Sequence, residues 1–208
     1  TFWDLGISDS TTIVFVQFYP DKNNIDEIRV INCYEESEKS IKHFIGVVNE
    51  FKAQHDIVYA EHWLPHDGAY RQQGSAKSVI DMGRELGIKF KALTRIGRKQ
   101  DAIEFARGII PKCIFNKSLV QRLLDCLRAY HKAYNSKLDR YDHKPVHDWS
   151  SHMTDAFLGL AQYVGELKPP IDLASFKSRS IMENYELKDG RSDDEHNIIG
   201  NLIDTGNW

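Results

Sequence analysis

The chain is expected to fold as an α/β domain, a mixed β-sheet covered by helices, and three observations carry that expectation. Strand-like runs come first, strand and helix patterns then alternate, and helical periodicity dominates from about residue 99 onward. No glycine-rich phosphate loop of the G-x-x-x-x-G-K-[ST] type and no internal repeat interrupts that order.

The elements follow in turn. Residues 11–19 and 27–34 are rich in aromatic and β-branched side chains, and "PDKNN" between them is turn chemistry, so an antiparallel hairpin is predicted. "SEKSIKHFIGVVNEFKAQH" places Ile41, Phe44, Ile45, Val48 and Phe51 at helical spacing, with Ser37 or Ser40 as its cap. "DIVYAEHWL" is a short apolar run of the buried-strand kind. "SAKSVIDMGRELG" reads as a helix stopped by Gly87, and "IKFKALT" as a further strand. Three amphipathic helices are then expected: "RKQDAIEFARGII", ending at Pro111; "SLVQRLLDCLRAYHKAYN", capped by Ser118; and "SSHMTDAFLGLAQYVGEL". Residues 1–166 form the expected domain. Residues 167–208 lose any sustained period and are rich in turn-formers and acids, which predicts a flexible tail.

Composition narrows the functional classes. With 41% hydrophobic and 27% charged residues the chain can bury a core, and no stretch reaches the roughly 20 apolar residues that span a bilayer, so no membrane partner is expected. No signal-peptide pattern opens the chain, which starts almost directly on a strand, as a domain of a longer polypeptide would. Cys33, Cys113 and Cys126 make no C-x-x-C pair, so neither a zinc site nor a disulfide framework is indicated. A net charge of -3 argues against a surface coated in basic residues but permits a local basic stripe beside an acidic site.

Three carboxylates stand against apolar elements that would hold them firmly. Asp4 heads the first strand-like run, Asp67 follows the buried strand in "LPHDG", and Asp155 sits in the last helix in "SSHMTDAFLGLAQY". Taken singly, each is equally readable as a cap or a solvated acid. Together they suit hard divalent cations such as Mg2+ or Mn2+, which take oxygen ligands and in pairs serve phosphoryl transfer.

"WDLGISDSTTIVFV", "LPHDG" and "HDWSSHMTDAFLGLAQY", in that order, resemble the C-terminal nuclease domain of the large terminase subunit of tailed double-stranded DNA bacteriophages. The resemblance is closest to the headful-packaging, short-tailed group. It implies a ribonuclease-H-like mixed sheet flanked by helices on both faces. It further implies a Mg2+- or Mn2+-dependent endonuclease, using two divalent cations, that cuts concatemeric DNA when packaging starts and ends. On this resemblance Asp4, Asp67 and Asp155 are the catalytic and metal-binding carboxylates, with Glu61 competing with Asp67 for the middle position. Implied partners are double-stranded DNA, an ATPase domain of the same polypeptide, the portal protein and the small terminase subunit. The implied location is the cytoplasm of the infected bacterium and, transiently, the procapsid.

Asp9, Asp148, His66 and His152 are candidates for a supporting shell, through water or phosphate contact, though capping or surface roles serve as well. His62, His143 and His147 fall in the same neighbourhoods, but no zinc motif connects them. For DNA phosphates the candidates are Arg95, Arg98 and Lys99 in "LTRIGRKQ", with Arg71 after them. "SKLDRYDHKP" reads as a loop, either near DNA or simply solvated. Two other functions compete: an actin-like or sugar-kinase-type ATP-binding domain, suggested by "DLG" on a first strand, and a non-catalytic DNA or capsid docking module. The acidic tail would then be a docking segment for the portal.

Overall fold

The computed structural model describes residues 1–6, 9–20, 22, 25–70 and 77–167. The expected tail beyond Leu167 and the candidate Arg71 lie outside the described residues.

A three-residue strand, β1 (Phe2–Asp4), sits inside a six-stranded sheet. On one side it pairs antiparallel with β2 (Ser10–Pro20), which pairs antiparallel with β3 (Ile25–Ser37). On the other it runs parallel to β4 (His62–Leu64), which runs parallel to β5 (Phe90–Ala92). A last strand, β6 (Cys113–Phe115), joins β3 in parallel, giving the order β5-β4-β1-β2-β3-β6.

The alternation of side chains across a pleated sheet divides the core in two. Trp3, Ile13 and Phe15 point to the face covered by α1 (Ile41–His55) and α2 (Val79–Glu85), where they meet Phe44, Ile45, Val48 and Val79. Phe2 and Val14 point to the other face, covered by α3 (Lys99–Ile109), α4 (Lys117–Ala129) and α5 (Ser151–Leu167). Helices therefore flank a mixed sheet on both faces. Asp4, two residues after Phe2, shares the face of Phe2 and so looks toward α5.

Local chemistry explains the helix ends. Ser40 accepts from the His43 amide at the start of α1, and Ser78 with Asp81 forms a capping box on α2. The start of α5 is built by Asp148, Ser150 and Ser151. The Asp148 carboxylate accepts from the Ser150 amide and hydroxyl, and the Asp148 amide donates to the Ser151 hydroxyl. One further bond joins α5 to the sheet: the buried Thr12 hydroxyl donates to the His152 carbonyl at 3.0 Å.

Several sequence expectations are corrected. Asp4 does not head a strand that continues into residues 12–18; it ends β1, and the chain doubles back. Gly6 makes that turn, since a Cβ there would come within 2.6 Å of the Asp9 backbone. The "SLVQRLLDCLRAYHKAYN" helix stops at Ala129, and its end instead forms β7 (Lys132–Asn135). β7 pairs with β8 (Arg140–Pro145), so "SKLDRYDHKP" is the tip and return strand of a hairpin rather than a loop. Asn116, not Ser118, stands at the cap of α4, with the Ser118 hydroxyl turned to Asn116 Oδ1. β6 is hidden in the sequence between two helical patterns because only three residues pair.

Thr12→Val keeps the side-chain shape and removes the tie to α5. It is expected to cost about 1–2 kcal/mol, read as a lower urea midpoint at unchanged slope.

Candidate active site

The carboxyl ends of β1 and β4 lie side by side because the two strands are parallel. Asp4 ends β1. Asp67 lies in a 3-10 turn, His66–Ala69, that leaves β4 at the same edge. The two are linked through Gly68: a Cβ there would come 2.8 Å from the Leu64 Cβ and 3.3 Å from Leu5, the residue after Asp4. Only a glycine lets the Asp67 turn settle this closely on the end of β1. His66, beside it, sets its ring edge-on to Tyr70.

From the opposite direction, α5 brings in His152 and Asp155, one turn apart on the helix. His152 Nδ1 lies 3.6 Å from Asp4 Oδ2, and the Asp4 carboxylate raises the imidazole pKa. Asp155 is half-buried. Burial raises its carboxyl pKa, the Asp4 charge adds to that rise, and Lys99 opposes it. The Lys99 ammonium stands 2.6 Å from Asp155 Oδ1, a close ion pair rather than a well-directed hydrogen bond.

Beneath these groups lies Tyr130, buried at the end of α4. Burial first, and then the charges of Asp155, Asp148 and Asp4, push its phenol well above the ordinary range. Tyr130 and Asp155 line the same cleft, although Tyr130 looks like a core aromatic in the sequence. Asp148 contributes chiefly to structure, because Ser150 holds its carboxylate and lowers its pKa.

A cleft of about 810 Å³ opens beside Asp155, walled by α3 and by the β7–β8 hairpin. Arg98, Lys99, Lys132 and Lys144 line it, giving a basic approach to the acidic floor. Arg98 caps α3 and pairs with Asp101 at 2.8 Å; Lys132 donates to Gln100. Arg95 is exposed in the segment before α3. Lys132 escapes sequence reasoning because the local pattern puts it in a helix, whereas Lys144 falls in the "SKLDRYDHKP" segment read as a loop near DNA or solvent. Among the described residues, a group offering one ligand atom each within 4.8 Å of one another is Asp9, His147 and His152.

Glu61 lies elsewhere. It precedes β4, at the strand end opposite Asp67, and it is held by Lys22, Lys91, Trp63 and Tyr163. Burial alone would raise its pKa, but hydrogen bonds from Lys91, Lys22, Trp63 and Tyr163 outweigh it and bring the value down to about 2. Its stabilising effect is thus complete above the unfolded value of 4.5 and is lost as pH falls toward 2. Glu61→Gln is expected to destabilise the chain by about 1–3 kcal/mol at pH 7. In denaturant titrations the gap from the parent should close between those two pH values.

No protein-family model matches the chain, and no curated protein matches it either. Two solved structures are similar. One is the nuclease domain of g2p, the large terminase of bacteriophage SPP1, with bound Mn. Its TM-score is 0.55 at 14% identity, over 79% of this chain and 83% of that one. The other is the P22 large terminase nuclease domain, with a TM-score of 0.50 at 17% identity, over 79% of this chain and 77% of that one. Identities of this size establish architecture and leave the chemistry to the side chains. In architecture, the chain has the ribonuclease-H-like fold of large terminase nuclease domains.

Proposed function

We propose that this chain is a metal-dependent DNA endonuclease domain of a viral genome-packaging motor. It would cut concatemeric double-stranded DNA at the start and end of packaging, by two-metal-ion phosphodiester hydrolysis. One observation carries the reading: Asp4 ends the central strand 3.6 Å from His152 in the first turn of α5, and Asp155, one turn further along that helix, opens onto a basic cleft. The shared architecture with phage terminase nuclease domains supports it, as does the bound Mn of the SPP1 domain.

The donors suit the ions. Asp4, Asp67 and Asp155 offer the oxygen ligands that Mg2+ and Mn2+ require, and Asp155 is a half-buried carboxylate that already faces one cation, Lys99. When bound, two such ions would neutralise the scissile phosphate and lower the pKa of the attacking water. The chain's own residues do the rest. Arg98, Lys132 and Lys144 hold successive phosphates along the cleft without reading bases. Lys99 keeps a positive charge at the Asp155 end of the cleft, so a backbone seated there meets the carboxylates at its phosphate. His152, held by Asp4 and by the Thr12 bond to its backbone, keeps the first turn of α5 in register with β1. Of the two candidates for the middle acid, Asp67 belongs to the proposed site, since Glu61 is tied up at the other end of β4. The ATPase domain of the same polypeptide, the portal and the small terminase subunit complete the proposed motor. It would work in the cytoplasm of the infected bacterium and at the procapsid.

Plasmid DNA with Mg2+ or Mn2+ tests the proposal. The parent chain is expected to nick and linearise it, and Asp4→Asn, Asp67→Asn and Asp155→Asn each to slow cutting roughly a hundredfold or more. Variants that cut like the parent would refute the assignment. Glu61→Gln, assayed where it is folded, should retain cutting.

DNA affinity supplies a separate check. Changing Arg98 and Lys144 to Ala together should weaken binding equally across unrelated sequences. The slope of log affinity against log salt should shrink by about 0.9 for each phosphate that the variant no longer neutralises.

A further inference from the structure

Beside Asp4, and sharing none of the three proposed catalytic carboxylates, Asp9, His147 and His152 draw together. Asp9 lies in the β1–β2 turn, His147 in the link between β8 and α5, and His152 in the first turn of α5. One ligand atom from each lies within 4.8 Å of the other two. The two imidazoles meet edge to face, their ring centres 5.2 Å apart.

We propose that these three side chains form a binding site for a first-row transition-metal ion of the Co2+ to Zn2+ kind, selective against Mg2+. The donor set decides the class of ion. Two imidazoles and one carboxylate suit borderline metals, whereas Mg2+ demands oxygen ligands in octahedral geometry. Three protein ligands leave one position of a tetrahedron for water or another ligand.

Two further features favour an ion here over a chance cluster. His152 Nδ1 stands 3.6 Å from Asp4 Oδ2, which puts a carboxylate beside the imidazole, the arrangement that orients a metal-bound histidine when the two close to hydrogen-bond distance. Asp9 and His147 are exposed and sit on connecting segments rather than inside regular elements. They are therefore free to close the remaining distance to the roughly 3.4 Å that tetrahedral ligands near 2.1 Å impose. An ion bound here would tie the β1–β2 turn to the entry of α5, directly over Asp4. The site stands on its own donors and does not rest on the nuclease reading.

The test uses the full chain, freed of metal by chelation and titrated with Co2+ alone. Four-coordinate Co2+ gives intense visible d–d bands, so coordination is read directly and without any activity assay. One equivalent is expected to bind with that spectrum, to be displaced by Zn2+, and to survive a large excess of Mg2+. His147→Ala and Asp9→Asn, both at exposed positions, are expected to weaken Co2+ binding at least about tenfold while melting like the parent. Asp155→Asn is expected to leave the spectrum in place, which separates this site from the carboxylates proposed for catalysis. Absence of four-coordinate bands, their persistence in His147→Ala, their loss in Asp155→Asn or their displacement by Mg2+ would each overturn the proposal.

Discussion

A hydrogen bond from the Thr12 hydroxyl to the His152 carbonyl ties the sheet to the start of α5, the two elements that carry Asp4 and Asp155. Thr12 is the direct cross-strand partner of Asp4, so the bond ties the start of α5 to the very rung of the sheet that carries the first acid. Thr12 is fully buried, so its hydroxyl has no bulk water to turn to if the carbonyl moves away. Together with the packing of α5 on the sheet, that attachment sets His152 against Asp4 and leaves Asp155 one turn further along the helix.

The two ends of the sheet handle negative charge in opposite ways. At the end where β4 begins, Glu61 collects two lysines, an indole and a phenol and stays ionised far into acid. At the other end, burial and the charge of Asp4 raise the Asp155 pKa, and Lys99 approaches Asp155 as its counter-charge. The first arrangement is complete as it stands. The second leaves a half-buried carboxylate with one lysine as its counter-charge, and perturbed carboxylates of this kind cluster at functional sites.

Much of this is legible in the sequence, and the reasons for the rest are physical. The apolar period of α1, α3 and α5 is long enough to survive any tertiary context, so these helices can be read nearly to their ends. The direction of the first strand cannot. "WDLGISDSTTIVFV" has the alternation of a single strand, yet β1 and β2 pair antiparallel, with Gly6 tight against the Asp9 backbone. The β7–β8 hairpin is concealed because "AYHKAYN" continues a helical pattern, and pairing with Arg140–Pro145 overrides that local preference. Concealed with the hairpin are Lys132 and Lys144, two of the four basic residues of the cleft. Asp4, Asp67 and Asp155 can be picked out by their apolar settings, but the side of the sheet each faces is a property of register. Lys99, a phosphate ligand by its sequence setting, faces Asp155 as well.

Helix α5 also has a mechanical meaning. Its 17 residues span about 25 Å at 1.5 Å per residue. Its first turns hold His152 and Asp155, while Tyr163, near its far end, grips Glu61 at the opposite margin of the sheet. A helix packed along its length against β1, β2 and α3 moves as a rod, not as a string. Tension or torque applied where the chain leaves α5 at Leu167 would therefore load both margins at once. A lengthwise slip large enough to free Tyr163 from Glu61 would also shift His152 against Asp4, so the two margins of the sheet are coupled through one rigid element.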